Sequence, residues 1–150
     1  MTESEIKTTK LEKHQTKDIL DKHVNGFMIP VWRDWDKTIS VKPEMVYMTS
    51  VNPGERKGPH LHMIRHSYYV CIKGKVVFII KEDSGNYFEI ESSEENPVLV
   101  EIPKNYSSAH INLSNEPSII LSVVNPSWKP DNRDEHNVTY DDYDWTKWDK

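Results

Sequence analysis

The sequence predicts an all-β fold, a sandwich or barrel of short antiparallel strands. Short runs rich in aromatic and β-branched residues follow one another closely, with turn residues between them. No long segment repeats its apolar residues with the 3.6-residue period of a helix. A chain of 150 residues is expected to form one domain that buries a core without disulfides or a metal.

The central part of the chain, residues 26–125, carries the strand signals and is predicted to form the barrel. The sequence Lys73-Gly74-Lys75 is typical of a hairpin turn between two such runs, and Pro30 favours an edge or bulge position. The predicted strands are Phe27–Arg33, Met45–Val51, Ser67–Ile72, Val76–Lys81, Tyr87–Ile90, Val98–Ile102 and Ser118–Val124.

The two ends differ in composition from this central part. Residues 1–25 are polar and charged, which predicts a flexible N-terminal segment with at most a short strand or turn. Residues 126–150 are rich in Pro, Trp, Asp and Tyr. We expect this aromatic and acidic tail to pack on the barrel.

Composition argues against several classes of partner. The net charge is −5, with Lys and Arg scattered along the chain, so neither a nucleic acid nor an anionic membrane is expected to bind. No apolar run has the length of a signal peptide or membrane span. A single cysteine, Cys71, excludes an internal disulfide and suits a reducing compartment, so a cytoplasmic location is expected.

His60 and His62 are the first candidate functional residues. Successive side chains of a β-strand point to opposite faces, so two histidines two residues apart share a face. Such a pair is half of a metal site, or a base and a neighbour that tunes it. An imidazole suits proton transfer because its unperturbed pKa is about 6.5.

The surrounding motifs resemble those of the cupin superfamily, which implies a jelly-roll barrel. Gly54, then His60-Leu-His62 and a turn at Gly74, resembles the first cupin motif, and the segment from Ile102 to Asn112 resembles the second. The cupin metal-ligand positions then fall on His60, His62, Ser67 and Ser108. Because a serine hydroxyl is a poor metal ligand, we expect no bound metal. His66 and His110 are the residues able to extend the set, and His110 lies on the same face as Ser108.

Cupins that lack a metal and keep the histidines include sugar-nucleotide epimerases and ketoisomerases. Lys57-Gly-Pro-His60-Leu-His62 resembles the Arg-Gly-x-His motif of dTDP-4-dehydrorhamnose 3,5-epimerases and the Arg-Gly-x-His-Ala-His motif of dTDP-sugar 3,4-ketoisomerases. The resemblance implies that His60 is the base, with His62 taking part in a ketoisomerase, and that Asp142 or Asp144 orients the base. Lys57 would meet the substrate diphosphate, with Arg56 as the alternative.

Two positions depart from the epimerase pattern. Ser67 stands where the epimerases have a lysine, and Ser122 where they have the tyrosine that returns the proton. Tyr69 should face the same interior as Ser67 and is the candidate replacement acid, with Tyr47 second. The remaining predicted substrate contacts are Ser67, Ser108, His110 and Trp128, the last by stacking.

Three functional interpretations remain open at this point. The first is a metal-independent epimerase, without a cofactor, acting at C3, C5 or both of a nucleotide-linked 4-keto-6-deoxy sugar. The second is a sugar-nucleotide 3,4-ketoisomerase. The third is a non-catalytic cupin that binds a small ligand or a metal. The resemblance also implies a homodimer.

Overall fold

Two five-stranded antiparallel sheets face each other and form a β-sandwich. The structure is a computed structural model that describes residues 6–131 and 133–149. Its strands are β1 (Lys7–Lys10), β2 (His14–Lys17), β3 (Val24–Met28), β4 (Met45–Val51), β5 (Arg56–Leu61), β6 (His66–Lys73), β7 (Lys75–Lys81), β8 (Tyr87–Ser93), β9 (Val98–Ile102), β10 (Ser107–Asn112), β11 (Ser118–Asn125) and β12 (His136–Asn137), followed by a 3-10 helix, Trp145–Trp148. Sheet 1 has the order β1-β9-β6-β11-β4, sheet 2 the order β12-β5-β10-β7-β8, and β2 pairs with β3 as a separate hairpin. The all-β prediction is confirmed.

The core lies between the two sheets and continues on both of their outer faces. Phe78 and Ile80 of β7 meet Val100 and Ile120 of sheet 1 in the interior, and all four are at most 1% exposed. Burying apolar surface contributes about 25 cal/mol per Å², so this contact is the main stabilising interaction between the sheets.

Strand β7 is buried on both of its faces. Its inward residues alternate with Val77 and Ile79, which face outward and pack against Tyr140 and Trp145 of the C-terminal tail. This explains an uninterrupted apolar run in the sequence, because a strand covered on both sides needs no polar alternation. The tail therefore forms a third layer over sheet 2.

Sheet 1 is covered on its outer face in the same way. Tyr68 and Val70 of β6 and Val123 of β11 pack outward against Ile39 and Leu11. The Tyr68 hydroxyl accepts a hydrogen bond from the Ser40 backbone N–H at 3.0 Å, which fixes the covering segment in place.

The strand prediction was wrong for Phe27–Arg33. The strand there is Val24–Met28, and Ile29 and Val31 leave it to pack on the outer face of sheet 1. Pro30 has no N–H to donate to a ladder, which is consistent with the strand ending before it. The predictions Met45–Val51 and Val98–Ile102 match β4 and β9.

Residues 6–25, the described part of the segment predicted to be flexible, contain strands β1 and β2 and the start of β3; residues 1–5 lie outside the described residues. Strand β1 pairs with β9, Lys7 opposite Glu101. The side chains of β1 are exposed, but Ile6 and Leu11 on either side of it are buried, 6% and 8% exposed. Two isolated apolar residues gave no periodicity, so the sequence pattern could not reveal a strand held by backbone pairing.

The described residues contain no candidate membrane-spanning helix. None of their helical segments is long and apolar enough to cross a bilayer. The 3-10 helix is four residues long.

A β-bulge in β5 sets the direction of the side chains at the site. Ser108 of β10 pairs with His60, and His110 pairs with Lys57. Gly58 and Pro59 of β5 therefore lie opposite a single residue of β10, Ala109. An extra residue shifts the alternation of side chains. Lys57 and His60, three apart, are thereby brought to the same face of sheet 2.

Only glycine fits at the first bulge position. Gly58 has φ +88°, and a Cβ atom there would lie 2.7 Å from the backbone oxygen of Ser108. Gly85 has a similar φ, +91°, but a Cβ atom there would meet nothing within 4 Å. A comparison of alanine substitutions at these two positions separates the effect of backbone conformation on stability from the effect of close contact.

We predict that Gly58→Ala lowers the free energy of unfolding by about 1–3 kcal/mol more than Gly85→Ala does. Both variants place a Cβ atom on a left-handed backbone, which costs about 1–2 kcal/mol, but only the first also forces β5 away from β10. Urea unfolding at pH 7 measures the difference. Equal losses for the two variants would contradict the account of the bulge.

Candidate active site

The pairing of β12 with β5 brings two carboxylates to the candidate histidines. His136 and Asn137 of β12 pair with Leu61 and His60, so the residues just before β12 lie at the end of β5. Oε1 of Glu135 lies 3.3 Å from Nδ1 of His60.

Asp134 organises the loop that follows β5. Its carboxylate accepts hydrogen bonds from the backbone N–H groups of Met63 (3.0 Å), Ile64 (3.0 Å) and Arg65 (2.9 Å), and its Oδ2 lies 3.8 Å from Nδ1 of His62. Burial opposes its ionisation, but these donors and His62 together lower the pKa of Asp134. The loop therefore holds a stable negative charge beside His62.

Three imidazoles, two on sheet 2 and one just after β5, carry buried nitrogens without a hydrogen-bond partner among the described residues. They are Nδ1 of His60, Nδ1 of His62 and Nε2 of His110. The Glu135 carboxylate is close to the first of these but lacks the alignment of a hydrogen bond. Buried polar atoms in native proteins almost always have partners, so these three nitrogens indicate a place where a bound molecule, water or ligand, supplies them.

The environment keeps two of these imidazoles neutral at pH 7. Burial, followed by the charges of Lys57 and His60, lowers the pKa of His110 to about 4. Burial and the charge of Arg65 lower the pKa of His62, against the opposing effect of Asp134. A neutral imidazole both donates and accepts a hydrogen bond.

Hydroxyl groups of sheet 1 form the facing wall. Ser122 of β11 pairs with Tyr47 on one side and Tyr69 on the other, and its buried Oγ has no hydrogen-bond partner among the described residues. The Tyr69 ring stacks on Phe78 at 5.9 Å. Burial and the neighbouring Tyr47 raise the pKa of Tyr69, while Ser67 and Arg65 oppose this effect, so Tyr69 is a protonated donor.

The candidate histidines do not form a close group of metal donors among the described residues. Metal sites in proteins need three or more good donors at close spacing. In residues 6–131 and 133–149, the group of side chains that meets this spacing, with donor atoms within 4.8 Å, is Asp18, Asp21 and His23 on the turn between β2 and β3. His60, His62 and His110 do not form such a group.

Three predicted site residues lie elsewhere, and these placements correct the expectation. Asp142 accepts a hydrogen bond from the Tyr87 hydroxyl, and Asp144 caps the 3-10 helix by accepting from the Thr146 N–H at 3.0 Å. The carboxylate beside His60 is Glu135 instead. Arg56 faces the tail, with its guanidinium 3.9 Å from the centre of the Trp145 ring, because the bulge turns Lys57 inward and leaves Arg56 outside.

The other predicted contacts surround the pocket. Lys57 is exposed, and its charge acts on His110. Ser108 pairs with His60. Trp128 is half-exposed and lines a small cavity at the mouth of the sandwich together with Arg65 and Asp134.

Sequence reasoning missed Asp134, Glu135 and Arg65. The two carboxylates are brought in by β12, a strand of two residues that no periodicity reveals. Arg65 is 9% exposed. A charged residue five positions after His60 in an otherwise apolar and aromatic stretch was the available signal.

The two facing antiparallel sheets form a barrel of the RmlC-like cupin fold. The profile of the family described as "FdtA: WxcM-like, C-terminal" matches residues 7–144. The chain belongs to that family.

Curated relatives come from polysaccharide pathways. The chain is 28% identical over 136 residues to the probable low-salt glycan biosynthesis epimerase Agl13 of Haloferax volcanii, covering 83% of this chain and 86% of the relative. It is 27% identical over 143 residues to the spore coat polysaccharide biosynthesis protein SpsL of Bacillus subtilis, covering 91% and 89%.

Solved structures share the fold at low identity. A dTDP sugar isomerase from Desulfovibrio desulfuricans G20 has a TM-score of 0.76 at 12% identity, covering 91% of this chain and 85% of that one. The epimerase RmlC of Legionella pneumophila, solved with dTDP-4-keto-L-rhamnose, has a TM-score of 0.72 at 15% identity, covering 91% and 74%. The chain spans only 30% of the capsular polysaccharide assembling protein CapF of Staphylococcus aureus, which matches 66% of it at 22% identity and a TM-score of 0.60.

We predict that stability falls as the pH drops from about 6.5 to about 4, and that His110→Asn makes this dependence shallower. An unfolded imidazole binds a proton near pH 6.5, whereas folded His110 binds one only near pH 4. Between these values the unfolded state holds more protons, so the free energy of unfolding decreases as the pH falls. Urea unfolding at pH 7 and pH 5 tests this; the same pH dependence in both proteins would refute it.

Proposed function

We propose that this chain is a metal-independent epimerase of a nucleotide-linked 4-keto-6-deoxy sugar. It would invert C3, C5 or both through an enolate, in surface polysaccharide or deoxysugar biosynthesis. The observation that carries the proposal is the set of unpartnered imidazole nitrogens on sheet 2 and just after β5, which faces the Tyr69 hydroxyl on sheet 1. The relatives named for glycan and spore coat polysaccharide biosynthesis support the pathway.

Proton removal is assigned to His60. The carbon beside the keto group loses its proton to the imidazole, and the Glu135 carboxylate at Nδ1 stabilises the imidazolium that forms. This partner leaves Nε2 as the atom that takes the proton. The enolate oxygen then accepts hydrogen bonds from neutral imidazole N–H groups, for which His62 and His110 are the candidates.

Proton return is assigned to Tyr69. A sugar ring held between the sheets has His60 on one face and Tyr69 on the other, and inversion requires that the proton leaves and returns on opposite faces. Tyr69 is protonated because burial raises its pKa, and the charge of Arg65 favours the tyrosinate left after the transfer. Serine at position 122 would not replace it, because a serine hydroxyl is a far weaker acid.

A ketoisomerase is the second candidate, and one observation favours it. His60 and His62 each have their own carboxylate, Glu135 and Asp134, so two acid–base groups are built on one wall. A pair on the same wall suits transfer of a proton between neighbouring carbons. The products separate the two: a ketoisomerase yields a 3-keto sugar, whereas an epimerase retains the 4-keto group.

We predict that His60→Asn slows solvent deuterium exchange into the substrate by about 100-fold or more, the scale of a lost general base. Proton NMR in deuterated buffer with dTDP-4-keto-6-deoxyglucose measures the exchange, and dTDP titration measures binding, which should stay close to wild type.

The matched control is His66→Asn. His66 lies on the outer face of sheet 1, where its Nε2 is 2.9 Å from a Glu101 oxygen, so exchange should stay at the wild-type rate. Full exchange in His60→Asn would reject His60 as the base. No exchange in the wild-type protein, with its metal content measured in parallel, would favour the non-catalytic or metal-binding interpretation.

A further inference from the structure

Arg65 is a largely buried arginine that forms no ion pair with the described residues. It is 9% exposed, and its guanidinium makes no hydrogen bond or ion pair with other residues in the part of the chain that the structure describes. None of its guanidinium nitrogens is a fully buried atom without a partner, so the head group reaches solvent although most of the side chain is buried. An arginine with a buried stem, an accessible head group and no ion pair suits the binding of an anion.

The carboxylate that lines the same cavity as Arg65 is already engaged. Asp134 lines the same small cavity as Arg65, but it accepts hydrogen bonds from three backbone N–H groups, including that of Arg65 itself. The backbone of the loop, and not the guanidinium, therefore satisfies this acid. The result is a rigid loop that presents a free guanidinium.

The surroundings of Arg65 suit a diphosphate and a nucleotide base. The cavity of about 90 Å³ at the mouth of the sandwich is lined by Arg65, Lys129 and Trp128, and the Trp128 ring is 49% exposed. Two cations suit a diphosphate, and an exposed indole suits stacking on a base. On the inner side, the charge of Arg65 acts on His62 and Tyr69, so the anion binds directly next to the proposed reaction centre.

We propose that Arg65 binds the diphosphate of the nucleotide-sugar substrate and, with Lys129 and Trp128, forms the nucleotide subsite. This inference rests on the proposed function for the identity of the substrate. The planar guanidinium can bind two phosphate oxygens at once, which an ammonium cannot do. The diphosphate position that the sequence assigned to Lys57 or Arg56 thereby moves to the loop before β6.

The test is titration calorimetry of the full chain with dTDP, UDP and GDP. Arg65→Met should weaken binding of the preferred nucleoside diphosphate at least 10-fold, and Arg65→Lys should weaken it less, because it keeps the charge and loses the bidentate geometry. The corresponding nucleoside without phosphate should bind wild type and variants alike. Arg56→Met is the matched control, since Arg56 faces the tail, and it should bind as wild type does.

Equal affinity of the wild type and Arg65→Met for all three diphosphates, including no binding to any, would overturn the inference. Unchanged affinity with slower deuterium exchange would also overturn it, because Arg65 would then act on the enolate. Near-UV circular dichroism of each variant verifies the fold. If nucleotide binding depends on Arg65 but the wild type shows no deuterium exchange, this inference holds and the epimerase proposal is rejected. The two failures can therefore be told apart.

Discussion

The approach of Gly58 to the backbone of β10 is the contact on which the site depends. It allows β5 to carry one residue more than its partner strand, and the extra residue changes which side chains face inward. Without the bulge, His60 and Lys57 would lie on opposite faces. The wall that carries the candidate residues is thus set by backbone geometry before any side chain makes a contact.

The layers that cover the sandwich offset the free-energy cost of its polar interior. The tail covers sheet 2 and the segment around Ile39 covers sheet 1, so strands such as β7 bury apolar side chains on both faces. That burial offsets the cost of placing His60, His62, His110 and Ser122 in the interior, where their buried polar atoms have no partner among the described residues. Polar groups fixed in this way can bind a ligand without reorganisation.

Sequence reasoning predicted the features that depend on local pattern. The all-β class followed from short apolar runs, and the shared wall of His60, Ser108 and His110 followed from motifs and alternation. It failed where distant chain segments meet. Glu135 reaches His60 through a strand of two residues, and Arg56 faces outward because a bulge shifted the register; neither effect leaves a periodic signal.

The central claim is that acid and base lie on opposite faces of the sugar, and Tyr69→Phe tests it most directly. Proton NMR in deuterated buffer follows deuterium incorporation and the configuration of the sugar carbon in the same sample. If His60 removes the proton and Tyr69 returns it on the other face, the variant should still exchange deuterium with retained configuration, while formation of the epimer falls about 100-fold or more. Epimer formation at the wild-type rate would contradict the account.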